Sequence, residues 1–138
     1  MNDTSRADID RTVAGQTVAR RFLRTVADHG SETALRWKEG DDWAEWTFDD
    51  YGERVARAAA GLRAQGLQRG DRVVLMLRNR PEFHVLDIAA LVCGAVPVSI
   101  YNSSSSEQVA YLTGHCEATL AVVEDQGFLD RFTAVPDV

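Results

Sequence analysis

Arg72-Val73-Val74-Leu75-Met76-Leu77 decides the reading of this chain. After its first residue the run is too continuously apolar for a sheet with one wet face, and it suits a strand covered on both sides. Gly70-Asp71 turns the chain into it. Pro81 then fits the first turn of a helix. The residues that follow, from Phe83 through Val85, Leu86, Ile88 and Ala89 to Val92, are apolar on most sides and predict deep burial. Gly94 ends that helix. Positions 96–100 read as a second buried strand, 104–116 as a second helix and 119–123 as a third strand, with connections short enough for right-handed crossovers. The expected sheet is parallel. Ser104 with Glu107, or Ser105 with Gln108, has capping-box spacing, so the four serines at 103–106 have a structural role that needs no chemistry. A last helix is expected over 128–132.

Outward in the other direction, Val18, Phe22 and Val26 recur every four positions and place an amphipathic helix over 17–29, with Gly30 as its stop. Arg20, Arg21 and Arg24 on it read as a solvated face, with an anionic partner as the alternative. Positions 35–38 and 43–47 are short aromatic-containing runs around Glu39-Gly40-Asp41-Asp42, a pair of strands with a turn. Trp37, Trp43 and Trp46 are then packing residues, or a surface that stacks a base or a sugar. Thr47 caps the next helix, with Asp49 and Asp50 in its first turn. That helix runs to about 65 on an inward stripe of Tyr51, Val55, Ala58, Ala59 and Leu62, and Gly66 supplies a left-handed cap. The segment 1–16 lacks an apolar anchor and is expected to be loose. Positions 17–138 form one layered α/β unit with parallel central strands.

The composition sets limits on function. With 138 residues, 45% apolar and 26% charged, the chain has the balance of a globular domain. Fifteen basic against 21 acidic residues, a formal charge of -6, disfavour nucleic acid as a partner. The sole lysine is Lys38, in an acidic, aromatic segment where it is a poor candidate for contacting a phosphate. The start carries Asp3, Asp8 and Asp10 and no apolar run with a small-residue cleavage site, so cytoplasmic residence is expected. The most apolar stretch, 88–101, is interrupted by Gly94 and Pro97 and is too short for a transmembrane segment, which leaves peripheral membrane contact open. Cys93 and Cys116 lack metal or redox spacing and read as ordinary thiols.

In parallel sheets ligands gather beyond the carboxyl ends of the strands, here Arg78-Asn79, Tyr101-Asn102-Ser103 and Glu124-Asp125. These residues serve either as walls of a crevice for a polar ligand or as turn formers. His29, His84 and His115 share no ligand spacing, so no metal site is expected. His84 and Asp87, three apart on one helix, lack a paired nucleophile. No GxSxG, GxGxxG or GxxxxGK[ST] motif occurs, so neither an oxyanion nor a polyphosphate cradle is written into the chain.

Four of these pieces occur in a recognisable order: Gly66-Leu67 with Gly70-Asp71-Arg72-Val73, then Asn79-Arg80-Pro81-Glu82-Phe83, then Gly94-Ala95-Val96-Pro97-Val98. From about Thr17 onward the chain resembles the N-terminal subdomain of the adenylate-forming, luciferase-like superfamily, the AMP-forming acyl-CoA synthetases among them. Tyr101-Asn102-Ser103-Ser104 leading into Glu107-Gln108-Val109-Ala110-Tyr111-Leu112 is most similar to the long-chain fatty acid–CoA ligases. The resemblance implies an α/β fold and ATP-dependent activation of a fatty acid, through an acyl adenylate, to acyl-CoA. It implies ATP, Mg and coenzyme A as cofactors of the complete enzyme and none for this chain. The family's phosphate loop, its Thr-Glu motif, its ribose-binding Asp and its adenylation lysine match nothing here. No catalytic residue is therefore carried over, and the chain alone is expected to be inactive. Arg78, Asn79, Tyr101 and Asn102 remain as candidate walls of an acyl or CoA cleft. The expected partners are fatty acid and CoA in the complete enzyme, with the remainder of a ligase, or a second copy, covering an exposed apolar face. The alternative is a stand-alone α/β binding or interaction module.

Overall fold

Val73, Val74, Leu75 and Met76 are fully buried. They belong to strand β3 (Arg72–Met76), and their side chains alternate between two cores. A computed structural model describes residues 5–135 and 137–138. Val73 and Leu75 point into one core with Val55, Leu62, Val85 and Ala89, and Val74 and Met76 into the other with Val109, Phe128 and Phe132. The helices α3 (Phe48–Ala64) and α4 (Pro81–Val92) cover the first face, and α5 (Ser106–His115) with α6 (Gln126–Leu129) covers the second. The mixed α/β architecture with a parallel sheet follows from that two-sided cover.

Strands β4 (Val96–Ser99) and β5 (Leu120–Val123) flank β3 in the order β4-β3-β5, both parallel to it. Val74 stands opposite Val98 on one side and Ala121 on the other. A separate antiparallel hairpin, β1 (Thr33–Glu39) and β2 (Asp42–Thr47), pairs Trp37 with Ala44 and lies against α3 and α4. Trp37 and Trp46 meet edge to face at 4.9 Å, which places them in the packing role expected of them. Among the described residues no helix is long and apolar enough to cross a membrane.

Local signals set the element ends. Thr47 and Asp50 form a reciprocal capping box on α3, and Gly66 (φ 96) takes the left-handed conformation after it. Pro81 opens α4. Of the two serine boxes, Ser105 with Gln108 caps α5, while Ser104 is buried. Asp125 caps α6, which therefore starts two residues earlier than expected and tightens into a 3-10 turn at Asp130–Phe132.

Gly30 ends α2 (Val18–His29), the stop expected of it, in a right-handed conformation. A Cβ there would meet the carboxylate of Asp49, the far end of an exposed side chain. One expectation changes. The strand expected over 96–100 is an edge strand, not a covered one: Val96 is 51% exposed, because β3 meets only one side of β4. Within 1–16, positions 1–4 lie outside the described residues, and Arg6–Val13 forms a helix, α1. Its described side chains are all exposed, so the helix forms locally although it lacks the apolar anchor noted from the sequence.

Two substitutions separate packing from polarity in these cores. Met76→Ala removes a fully buried side chain and is expected to lower unfolding stability by about 2–5 kcal/mol. Thr113→Val replaces a buried hydroxyl that has no hydrogen-bond partner, and is expected to leave stability unchanged or raise it by about 1 kcal/mol. Urea midpoints at constant slope measure both.

Candidate functional site

The chain leaves β3 for β4 on one side and reaches β5 on the other, which makes the carboxyl end of β3 the point where strand order reverses. Arg78 stands two residues beyond it. Its backbone N–H donates to Glu124 Oε2 at 2.7 Å, and its Nη1 donates to Glu124 Oε1 at 2.9 Å and to Asp125 Oδ2 at 3.1 Å. Arg80 reaches Glu82 at 2.7 Å and Glu124 at 3.3 Å. The Glu124 side chain is only 13% exposed, and these donors hold it there.

The same donors set the titration of the carboxyl groups. The Arg78 backbone N–H, followed by the Arg78 side chain, holds Glu124 below its ordinary 4.5 against the opposing effect of desolvation. The Arg78 side chain and then the Phe128 N–H hold Asp125 below 3.8. Arg80 lowers Glu82 in the same way.

The Phe128 ring beside this ion cluster meets two guanidinium groups, Arg78 at 4.8 Å from the ring centre and Arg131 at 5.0 Å. Arg131 donates onward to the carbonyl oxygens of Asn102, at 2.6 Å, and Ser104, at 2.9 Å. Asn102 thus acts through its backbone, as an anchor for the turn after β4.

The four candidate wall residues fall into two places. Asn79 lines a cleft of about 230 Å³ with Leu35, Trp37, Arg80 and His84, between the hairpin and the start of α4. Arg78 and Asn79 also line an adjoining hollow of about 510 Å³ with Trp46 and Glu124. Tyr101, 84% exposed, lines a different groove of about 580 Å³ with Ser104, Gln108, Tyr111 and Leu112 on α5. Arg78 and Tyr101 therefore do not share one crevice.

Glu124, Phe128 and, through them, Arg80 and Arg131 gather around Arg78 and were not among the four. Glu124-Asp125 had been placed at a strand end, but its pairing with Arg78 spans 46 residues and leaves no local trace. Asp125 as a helix cap was the available signal for α6 and hence for Phe128 and Arg131.

Lys38, His84 and Tyr51 have structural partners. Lys38 Nζ donates to the Asp41 carbonyl oxygen at 2.9 Å and lies over Trp43, within the hairpin turn. The His84 ring is edge-on to Phe83, and its backbone carbonyl accepts from the Tyr51 hydroxyl at 2.9 Å. Burial, and then the charge of Asp87, push Tyr51 up to about 12. Among the described residues no group of three or more His, Cys, Asp or Glu side chains is placed to hold a metal ion.

Comparison with known proteins places this arrangement. Residues 22–137 match the family model described as AMP-binding enzyme. The uncharacterized protein Rv1549 of Mycobacterium tuberculosis is 36% identical over 129 residues, which cover 94% of this chain and 72% of that protein. The long-chain-fatty-acid–CoA ligase ACSBG2 of Xenopus laevis is 34% identical over 121 residues, 88% of this chain but 16% of the ligase. Among solved structures, the inhibitor-bound N-terminal domain of FACL13 from Mycobacterium tuberculosis superimposes with a TM-score of 0.76 at 22% identity, covering 86% of this chain and 30% of that one.

The depressed carboxyl groups give the strand-end cluster a defined pH response. Its contribution to stability is complete above the ordinary values of 4.5 and 3.8 and is lost as pH falls through the lower folded-state values. Glu124→Gln is expected to lower the melting temperature at pH 7, and the gap to the wild-type chain to close below pH 4.5. Melting curves across that range, repeated at high salt to screen the exposed Asp125 component, measure it.

Proposed function

Because the chain belongs to the AMP-binding enzyme family, we propose that it supplies the N-terminal α/β subdomain of a fatty acid–CoA ligase and is inactive by itself. The complete reaction is ATP-dependent activation of a fatty acid, through an acyl adenylate, to the CoA thioester. The observation that carries this reading is the 34% identity to a long-chain-fatty-acid–CoA ligase over 88% of the chain, against 16% of the ligase.

ATP, Mg and coenzyme A belong to the complete enzyme. The donor set here does not fit an ATP–metal site: the arginines at the strand ends are already paired with Glu124, Asp125 and Glu82, and those carboxylates are engaged in turn. A polyphosphate would have to displace these pairs. Stabilising charge that develops during phosphoryl chemistry needs donors preorganised and free to meet it. Asn79 and Trp37 leave a cleft wall that a remainder could complete for the acyl chain or CoA. Residence in the cytoplasm, with peripheral contact at a membrane, fits such an enzyme.

A second reading is supported by the 72% coverage of Rv1549, a relative close to this chain in length. In it the fold serves as a stand-alone binding or interaction module.

A chimera tests the two. The chain is exchanged for the 121 matched residues of the Xenopus ligase, and fatty-acid-dependent AMP release and acyl-CoA formation are assayed beside the isolated chain. The isolated chain is expected to give no AMP above the blank, and the chimera to form thioester. AMP release by the isolated chain would disprove its inactivity, and a folded but inert chimera would favour the module.

A further inference from the structure

Of the three arginines on α2, the structure sets Arg20 apart. Together with Arg69, in the turn before β3, it lines a hollow of about 540 Å³ that Leu91 and Val92 of α4 also border. Arg21 lines a separate groove beside α1, and Arg24 lines neither. The backbone brings Arg69 to this place. Gly70 N–H donates to the Gly94 carbonyl oxygen at 2.9 Å and Val96 N–H to that of Asp71 at 2.8 Å, so the turn before β3 is tied to the turn before β4. The Arg69 side chain then lies across Gly94, where a Cβ would stand 3.1 Å from its Cγ. Arg20 is fixed by its own contact, Nη1 donating to the Gly15 carbonyl oxygen at 2.7 Å.

No carboxylate meets these two arginines. Arg36, Arg57, Arg72, Arg78 and Arg80 are each ion-paired within the chain. Among the described residues neither Arg20 nor Arg69 has such a partner, and no residue lining their hollow is acidic. Asp71, the acid closest to Arg69 in sequence, accepts instead from the Gln68 N–H at 2.8 Å. The surroundings are basic as well: positions 11–27 carry four arginines and no acid, in a chain whose formal charge is -6. Two like charges lining one space repel each other, and an anion between them offsets that cost. The donors for it are in place. They are Nε and Nη2 of Arg20, the Arg69 guanidinium, and the hydroxyl of Thr17, whose oxygen accepts from the Arg20 N–H at 3.2 Å.

We propose that this hollow binds a phosphate monoester, with its phosphate between Arg20 and Arg69 and its organic part along Leu91 and Val92. A dianionic phosphate has the oxygens to take two guanidinium forks and a hydroxyl at once. A carboxylate, with one charge and two oxygens, would leave one arginine unmatched. The half-buried Leu91 and Val92 suit an apolar group on the ester oxygen. That group can belong to a soluble ester or to a phosphatidate in a lipid surface. The hollow shares no residue with the strand-end cluster around Arg78, and its test reads no ligase activity, so the two readings can fail separately.

Isothermal titration with hexyl phosphate at fixed ionic strength, beside hexanol as the ligand without the phosphate, measures the binding. Arg20→Gln and Arg69→Gln are each expected to weaken it about tenfold, and Arg24→Gln, outside the hollow, to leave it unchanged. Circular dichroism checks that each variant is folded. Should either arginine variant lose its fold, the wild-type chain carries the test: the amide resonances of Thr17, Arg69 and Gly94 should move with hexyl phosphate and not with hexanol. Co-sedimentation with vesicles of phosphatidic acid in phosphatidylcholine, against phosphatidylcholine alone, separates the two sources. Retention that Arg20→Gln and Arg69→Gln abolish assigns the site to a lipid headgroup, and binding of hexyl phosphate without retention assigns it to a soluble ester. Absence of binding in both assays overturns the proposal, as does equal affinity for hexanol. So does binding that Arg20→Gln and Arg69→Gln leave unchanged, or that Arg24→Gln weakens as much as they do, since either marks attraction to a basic face and not to this hollow.

Discussion

A strand that water reaches on neither face must have its backbone groups met at both edges and its side chains met on both sides. That requirement, imposed by Val73, Val74, Leu75 and Met76, organises the rest of the molecule. It demands helices on both faces, which α4 and α5 supply, and a parallel neighbour at each edge, which β4 and β5 supply. Splitting the neighbours to opposite sides of β3 creates the reversal of strand order. The carboxyl end of β3 thereby becomes the one place in the sheet where two loops diverge and a ligand could enter.

What occupies that place is charge already matched. Arg78 ties the loop after β3 to the loop after β5, and Phe128, met by Arg78 and Arg131, links the same cluster to the carbonyl groups after β4. All three strand ends are joined through two arginines and one ring. Such a cluster gives the loops definite positions and pairs the strand-end arginines with carboxylates of the same chain. The chain covers 16% of the length of the Xenopus ligase it matches.

Much of this was legible in the sequence because it is written locally. The unbroken apolar run at 72–77, the Thr47 cap, Pro81 at a helix start and the Ser105–Gln108 box each act within a few residues. The strand rank was not legible: Val-Pro-Val-Ser-Ile and Arg-Val-Val-Leu-Met look equally buried as strings, and only pairing separates an edge from a centre. Pro97 was the clue, since a ladder interior would lack its donor. Gly30 was legible as a helix stop, whereas the hydrogen bond its carbonyl oxygen accepts from the Asp49 N–H, across 19 positions, was not. The candidate site divided for the same reason. Arg78 and Tyr101 end adjacent strands, but the direction each side chain takes depends on partners, Glu124 for one and the α5 groove for the other.

The constraint that explains the core also explains where it is incomplete. β3 has neighbours at both edges and buries Val73 to Met76 fully; β5 carries equally apolar residues but has one described neighbour, and its residues are only partly buried. On β4 the same deficit is harmless, because Pro97 and an exposed Val96 and Ser99 make that edge a terminus in its own chemistry. Leu120–Val123 has no corresponding adaptation.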